Sequence, residues 1–272
     1  MTTARKSLIN VVGGGVLLLM LVIALLPFLV MAITSIQDTN FVGLAFDPAL
    51  LDFSNYVRLF TTYGFGSAIV TSAIVVVLAC TLNLFCSSLA AFAFAKKPFP
   101  GSNIVFVLYL ATMMVPGQVT LIPMFTIMRE LGLLNTYISL ALPAVGAFGV
   151  FLIRQFMITL PDEMLEAARI DGASDLRVFF SIVLPLIRPV LVALTVFTFI
   201  SVWNDFLWPL VSISNDSMQT ITLAAAKLSG RVAQEYGLIM AGASVAFAVP
   251  LIMYLFLQRQ FVEGIAATGL KG

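Results

Sequence analysis

The sequence predicts an all-α, polytopic membrane protein with about six transmembrane helices. Three observations predict it. Of 272 residues, 61% are hydrophobic and 10% charged, with a mean hydropathy of +1.08, which places the chain in the integral-membrane class. Six apolar runs, 11–36, 67–95, 103–128, 137–158, 186–213 and 238–257, reach the about 20 residues a helix needs to cross a bilayer. These runs are solidly apolar, whereas a transmembrane barrel shows alternating segments of about ten residues. The expected layout is an N-terminal segment 1–10, a membrane domain 11–258 containing a charged loop 159–185, and a tail 259–272.

The first run follows Arg5 and Lys6 in the manner of a signal peptide, but it is too long for a signal core and no small-residue cleavage site follows. It reads as a retained span, and Gly13-Gly14-Gly15 within it as a packing feature. Segment 37–65 carries Asp52-Phe53-Ser54-Asn55-Tyr56-Val57-Arg58-Leu59-Phe60, which suits an interfacial helix with Tyr56 and Phe60 at the headgroups. The second run is rich in Ser72, Ala73, Ala79, Ser87, Ser88, Ala90 and Ala91, and small residues let helices approach closely where lipid gives no hydrophobic drive. Cys80 and Cys86 within it form no CxxC pair and read as buried small hydrophobes.

In the third run, Pro116 and Pro123 flank Gly117. Broken backbone at membrane depth is tolerated where protein buries it or where it lines a cavity, so Gln118 and Thr120 are candidates for lining a pathway. The fifth run ends Trp203-Asn204-Asp205-Phe206-Leu207-Trp208-Pro209. An acid within an apolar run is a functional candidate because a charge in lipid is costly. Asn204 and Asp205 join the pathway candidates, while Trp203 and Trp208 are expected in an interfacial aromatic belt.

Lys and Arg in the loops set the orientation. With the N-terminus inside, inside segments hold Arg5, Lys6, Lys96, Lys97, Arg154, Arg169, Arg177, Arg188, Arg259 and Lys271, ten in all. Outside segments hold four: Arg58, Arg129, Lys227 and Arg231. Both termini and the loop 159–185 are therefore expected in the cytoplasm.

That loop is the charge anomaly of the chain, with Asp162, Glu163, Glu166, Arg169, Asp171, Asp175 and Arg177 inside sixteen residues. Thr159 or Leu160 can cap a helix there, Pro161 suits its first turn, and Asp162 and Glu163 lie where the helix dipole favours acids. Gly172 can end that helix in a left-handed conformation, and Ser174 can cap a second carrying Phe179, Phe180 and Val183.

Glu166-Ala167-Ala168, Asp171-Gly172-Ala173 and Leu184-Pro185 with Pro189 resemble the EAA loop of the membrane subunits of binding-protein-dependent ABC importers. Asn55-Tyr56 with Leu59-Phe60, Phe99-Pro100-Gly101 after Lys96-Lys97, Gln118 between Pro116 and Pro123, and Trp203-Asn204-Asp205-Phe206 with Pro209 resemble the carbohydrate-uptake branch, which includes the maltose importer. The tail Gln258-Arg259, Phe261-Val262, Gly264, Gly269 and Lys271-Gly272 is similar to that branch's ending. The resemblance implies a cytoplasmic coupling helix at Glu166, Ala167, Ala168, Asp171, Gly172, Ala173, Leu184 and Pro185 that sits in a cleft of an ATPase. It implies tail contacts at Gly269, Lys271 and Gly272. The implied partners are a second homologous permease subunit in a heterodimer, two ATP-binding cassette subunits that bind ATP and Mg, an extracytoplasmic solute-binding protein and membrane lipid. The implied place is a bacterial or archaeal cytoplasmic membrane, and the implied solute a sugar or related polyol.

Several classes are excluded by what the sequence lacks. It has no His, which argues against a metal site or a His-based triad. A net charge of +1 without a basic stripe argues against nucleic acid. No phosphate-cradling G-x-x-x-x-G-K-[ST] occurs, so the chain binds no cofactor of its own and is not expected to be an enzyme. The rival reading is an ion-gradient-driven secondary transporter, which needs ionisable groups deep in several spans, and these are scarce.

Overall fold

The computed structural model describes the backbone of residues 3–44 and 46–269, and the side chains of 12–44 and 46–256. The side chains of Arg5, Lys6 and Arg259, together with Lys271 and Gly272, lie outside the described residues, and Gly269 is described in its backbone alone. Among the described residues the chain is helical with no strand, save one isolated antiparallel bridge between Gln37 and Leu51.

In chain order, α1 (Thr3–Ser35) is followed by α2 (Ser54–Thr61) and the 32-residue α3 (Phe65–Lys96). Next come α4 (Ser102–Ala111), α5 (Gly117–Glu130), α6 (Tyr137–Ala141) and α7 (Ala147–Ile158). The charged loop folds into α8 (Asp162–Ile170), α9 (Asp175–Val178), a π-helical turn over Phe179–Val183 and α10 (Leu184–Leu186). The chain then continues through α11 (Arg188–Trp203), α12 (Leu207–Ser212), α13 (Ile221–Arg231) and α14 (Tyr236–Gly269). Three of these contain stretches long and apolar enough to cross a membrane: Val12–Ser35, Phe65–Lys96 and Tyr236–Phe256. Three bent pairs each pass the same test together. They are Ser102–Met114 with Gly117–Glu130 at 104°, Tyr137–Ala144 with Ala147–Ile158 at 46°, and Asp175–Leu186 with Arg188–Trp203 at 76°. Proline sits at each break, as Pro116, Pro143 and Pro185 with Pro189, where a missing N–H and the ring's clash with the preceding turn interrupt the helix.

The contacts divide into two compact units. The first joins residues 1–65 to 224–248. Buried Asn55 donates from Nδ2 to the carbonyls of Ser35 (3.3 Å) and Gln37 (3.1 Å). Gly237 is obligatory there, because a Cβ would stand 2.0 Å from the Gln37 carbonyl oxygen. Arg58 meets Glu235 at 2.6 Å. The apolar side chains of α1 from Val12 to Leu29 are exposed, a surface suited to lipid or another apolar chain. A Cβ added at Gly13, Gly14 or Gly15 would meet nothing within 4 Å among the described residues.

The second unit covers 66–223 and the chain after 248. Its main core gathers Phe92, Phe106, Ile153, Met157, Leu165, Phe179, Val183, Ile187 and Leu194, so one apolar cluster joins α3, α4, α7, α8 and α11. Of the small residues in the second run, Ser72, Ala79, Ser87, Ser88 and Ala91 are buried, Ala90 is half-buried and Ala73 is exposed. Ser87 lies so close to Gly149 of α7 that an added Cβ would stand 2.4 Å from its hydroxyl.

Three expectations are corrected by the packing. Trp203 and Trp208 form no belt; both are 3% exposed, with Trp208 Nε1 donating to the Ser139 carbonyl at 2.7 Å and Trp203 stacked on Phe199. An indole needs a partner for its N–H when buried, and the interior carbonyl supplies one. Cys80 is buried, but Cys86 is exposed. The first loop helix is not capped by Thr159 or Leu160: Pro161 is the flanking residue, and Thr159 Oγ1 donates backward to the Phe156 carbonyl at 2.8 Å.

Candidate functional site

The loop is built by two helix signals that work locally. α8 has Asp162 and Glu163 in its first turn and Arg169 in its last, each placed to offset the helix dipole. Gly172 adopts φ +81°, which a residue with a Cβ resists. Its N–H reaches the Arg169 carbonyl and the Ala173 N–H reaches the Ala168 carbonyl, both at 3.0 Å. This is a Schellman turn. Ala168 and Ala173 pack together against the main core, so Ala-x-x-x-Gly-Ala spacing here is the chemistry of a helix stop. Ser174 then accepts from the Arg177 N–H at 3.3 Å and caps α9.

Downstream, the Leu184 N–H reaches five residues back to the Phe179 carbonyl. That widened turn lies just before Pro185, which has no N–H to give and whose ring crowds the carbonyl four residues earlier. Leu184 is half-buried against the core and Pro185 is exposed. Leu165 and Val178 face inward, while Glu166, Ala167, Asp171 and Gly172 are exposed and Ile170 is 87% exposed. An apolar tip this open, ringed by charge, suits a protein partner.

Two lysines absent from the sequence-derived site complete it. Lys96 Nζ, on a side chain only 3% exposed, bonds the Leu160 carbonyl and Asp162 Oδ1, each at 2.7 Å. Lys97 reaches Asp175 Oδ1 at 2.6 Å, and Arg169 lies 3.6 Å from the same oxygen. Lys96, Asp162, Glu166 and Arg169 line one recess of about 240 Å3. The sequence signal for them was the basic pair itself, but ion pairs between residues 66 apart are visible only once the chain is folded.

A second region lies at the α4–α5 break. Gln118, Thr120 and Asp205 converge there, lining a cleft of about 300 Å3 with Gly117, Pro143 and Trp208. Asp205 accepts from the Trp208 N–H at 3.3 Å and so holds the start of α12. Thr120 donates to the Gly117 carbonyl at 2.9 Å. Asn204 lies outside this lining and turns its amide back to the Ile200 carbonyl at 2.8 Å. Nearby, Asn83 donates to Thr198 at 2.9 Å and accepts from Ser87 at 2.8 Å, a polar chain that ties α3 to α11.

Comparison with known proteins gives consistent matches. Residues 83–266 match the family described as binding-protein-dependent transport system inner membrane component. The arabinooligosaccharides transport system permease protein AraQ of Halalkalibacterium halodurans is 35% identical, covering 92% of both chains. The lactose transport system permease protein LacG of Rhizobium radiobacter is 33% identical, over 97% of this chain and 98% of that protein. The sn-glycerol-3-phosphate transport system permease protein UgpE of Pectobacterium atrosepticum is 37% identical over 75% of this chain and 74% of its own length. A solved bacterial ABC transporter for import of the acidic polysaccharide alginate contains a chain with the same fold. Its TM-score is 0.82 at 22% identity, over 96% of this chain and 99% of that one.

Proposed function

The chain belongs to the family of inner membrane components of binding-protein-dependent transport systems, and from that premise we propose that it is a sugar-class importer's permease subunit whose loop 159–185 docks on an ATP-binding partner. Membership makes it a multi-pass inner-membrane transport permease rather than an enzyme. The observation that carries the docking reading is the loop's construction: a helix stopped by Gly172, restarted by Ser174, and presenting exposed Glu166 and Ile170 around a buried Leu165. A solvated connector has no need of so rigid a turn or so apolar a tip.

In this reading Glu166, Ala167, Ala168, Asp171, Gly172, Ala173, Leu184 and Pro185 form the coupling element, and both termini share its cytoplasmic side. Gln118, Thr120 and Asp205 line part of the solute path, with Asn204 beside them, and a second homologous permease supplies the other half. Two ATP-binding cassette subunits hydrolyse ATP, the tail at Gly269, Lys271 and Gly272 contacts them, and an extracytoplasmic binding protein delivers solute. Relatives named for arabinooligosaccharides, lactose and glycerol phosphate support a polyhydroxylated solute.

The test replaces Glu166 by Lys and, separately, Gly172 by Pro in the assembled transporter. Both are expected to abolish uptake and to release the ATP-binding subunits on purification. Unchanged uptake with unchanged co-purification defeats the docking reading. Uptake that collapses with an ionophore while ATP stays high favours an ion-gradient mechanism instead.

A further inference from the structure

We infer that Lys96 is a positioning residue that carries coupling-loop movement into α3, a helix to which the loop is not joined in sequence. The inference rests on the reading that the loop docks on an ATP-binding partner. By chain connection α8 hands its motion to α7 on one side and, through α9 and α10, to α11 on the other. α3 ends 66 residues before Asp162. Yet its last residue, Lys96, places a nearly buried ammonium against the Leu160 carbonyl and Asp162 Oδ1 at the start of α8. The next residue, Lys97, holds Asp175 in the first turn of α9, and Arg169 from the end of α8 approaches the same carboxylate. Consecutive residues of one helix end therefore grip the first turns of both loop helices.

Three physical features make this a link for motion rather than a decoration. A buried charge deprived of its partner is strongly destabilising, so the Lys96 contact is held through a displacement or broken as one discrete event. Beneath it the apolar contact is continuous: Phe92 of α3 packs on Phe179 at 5.3 Å between ring centres, and Leu165 of α8 belongs to the same cluster. Further along, Asn83 and Ser87 of α3 hydrogen bond with each other, and Asn83 with Thr198 of α11, while Gly149 of α7 presses on Ser87. The lysine grip at one end and this polar chain farther along α3 bind α3, α7 and α11 into one block. Asn83, Gly149 and Thr198 also line a cavity with Ser201, so a tilt of α8 reaches that cavity through α3 as well as through its own covalent neighbours.

The experiment measures ATP hydrolysed per solute imported, with the complete transporter in vesicles, its binding protein and its solute. Lys96→Met should raise that ratio roughly tenfold, the scale of losing charged hydrogen bonds, while the ATP-binding subunits still co-purify. Lys96→Arg should bring it back to within about threefold, since the charge remains but the fork fits a compact ammonium's site imperfectly. Asp162→Asn, at a carboxylate 73% exposed, should give an intermediate rise. A rate that falls with no change in ATP per solute for both Lys96→Met and Asp162→Asn overturns the inference. If Lys96→Met does not assemble, Asp162→Asn decides alone by the same criterion. If the unsubstituted transporter shows no solute-stimulated hydrolysis, or no ATP-binding subunit co-purifies, the docking reading fails first, which is a different result.

Discussion

The loop 159–185 and the cleft at the α4–α5 break are both made by interrupting a helix, but the interruptions differ in kind. At Gly172 the chain turns left-handed and immediately repays the open carbonyls with the N–H groups of Gly172 and Ala173. Charges and a buried Leu165 then fix the turn on the core. At Pro116 the chain bends by 104° after a single 3-10 turn, in which the Val115 N–H reaches the Thr112 carbonyl, and a cleft lined by Gln118, Thr120 and Asp205 lies at the break. A glycine stop produces a rigid lever; a proline break in an apolar span produces room. In the proposed reading, one region is pushed and the other is passed through.

Breaking the lever should have the largest effect. Gly172→Val forces a β-branched residue into a left-handed conformation at a cost of about 1–2 kcal/mol, and displaces the turn that seats Ala173. Uptake is expected to fall roughly tenfold or more, whereas Gly172→Asn, which tolerates that conformation, should keep most of it. Equal losses in the two variants would show that the turn's geometry is not what matters.

Next in size is the packing that joins lever to path. Gly149→Leu drives a side chain into Ser87 and Asn83, where even a Cβ comes within 2.4 Å and 2.9 Å, and overpacking of this kind costs about 1–3 kcal/mol. A lower melting temperature of the detergent-solubilised protein is expected, against little change for Gly117→Ala, where a Cβ meets nothing within 4 Å.

Changes in the cleft should spare the lever. Asp205→Asn and Thr120→Val are expected to raise the solute concentration for half-maximal uptake about threefold to tenfold, with unaltered co-purification of the ATP-binding subunits. Loss of co-purification would blur the division between the two regions. Smallest of all is Arg58→Gln. Its partner Glu235 is 42% exposed and Arg58 40% exposed, and such a pair contributes at most about 1 kcal/mol, so stability and uptake should change by less than about threefold.

The loop was legible in the sequence because its signals are local: Gly172, Ser174 and the acids of the first turn act within a few residues. The cap was misassigned to Thr159 or Leu160 because Thr159 Oγ1 found a carbonyl behind it rather than an N–H ahead. Lys96 was legible only as a loop charge, because its partners lie 64 and 66 residues away. The cleft was half legible. Proline spacing located the break, but that Gln118 and Thr120 share one cleft with Pro143 and Asp205 depends on how distant segments of the chain pack. Tryptophans near the end of an apolar run suggested a headgroup belt, and instead Trp208 found the Ser139 carbonyl inside the protein. Composition tells that a residue wants a half-polar setting; it does not tell whether lipid or protein supplies it.

In the proposed assembly the loop tip meets an ATP-binding partner and the cleft region does not. This arrangement is tested most directly by cross-linking from Ile170→Cys and Met114→Cys, at side chains 87% and 85% exposed, in a transporter with Cys80 and Cys86 replaced. Ile170→Cys is expected to capture the ATP-binding subunit and Met114→Cys is not. Capture from both positions, or from Met114→Cys alone, would contradict it.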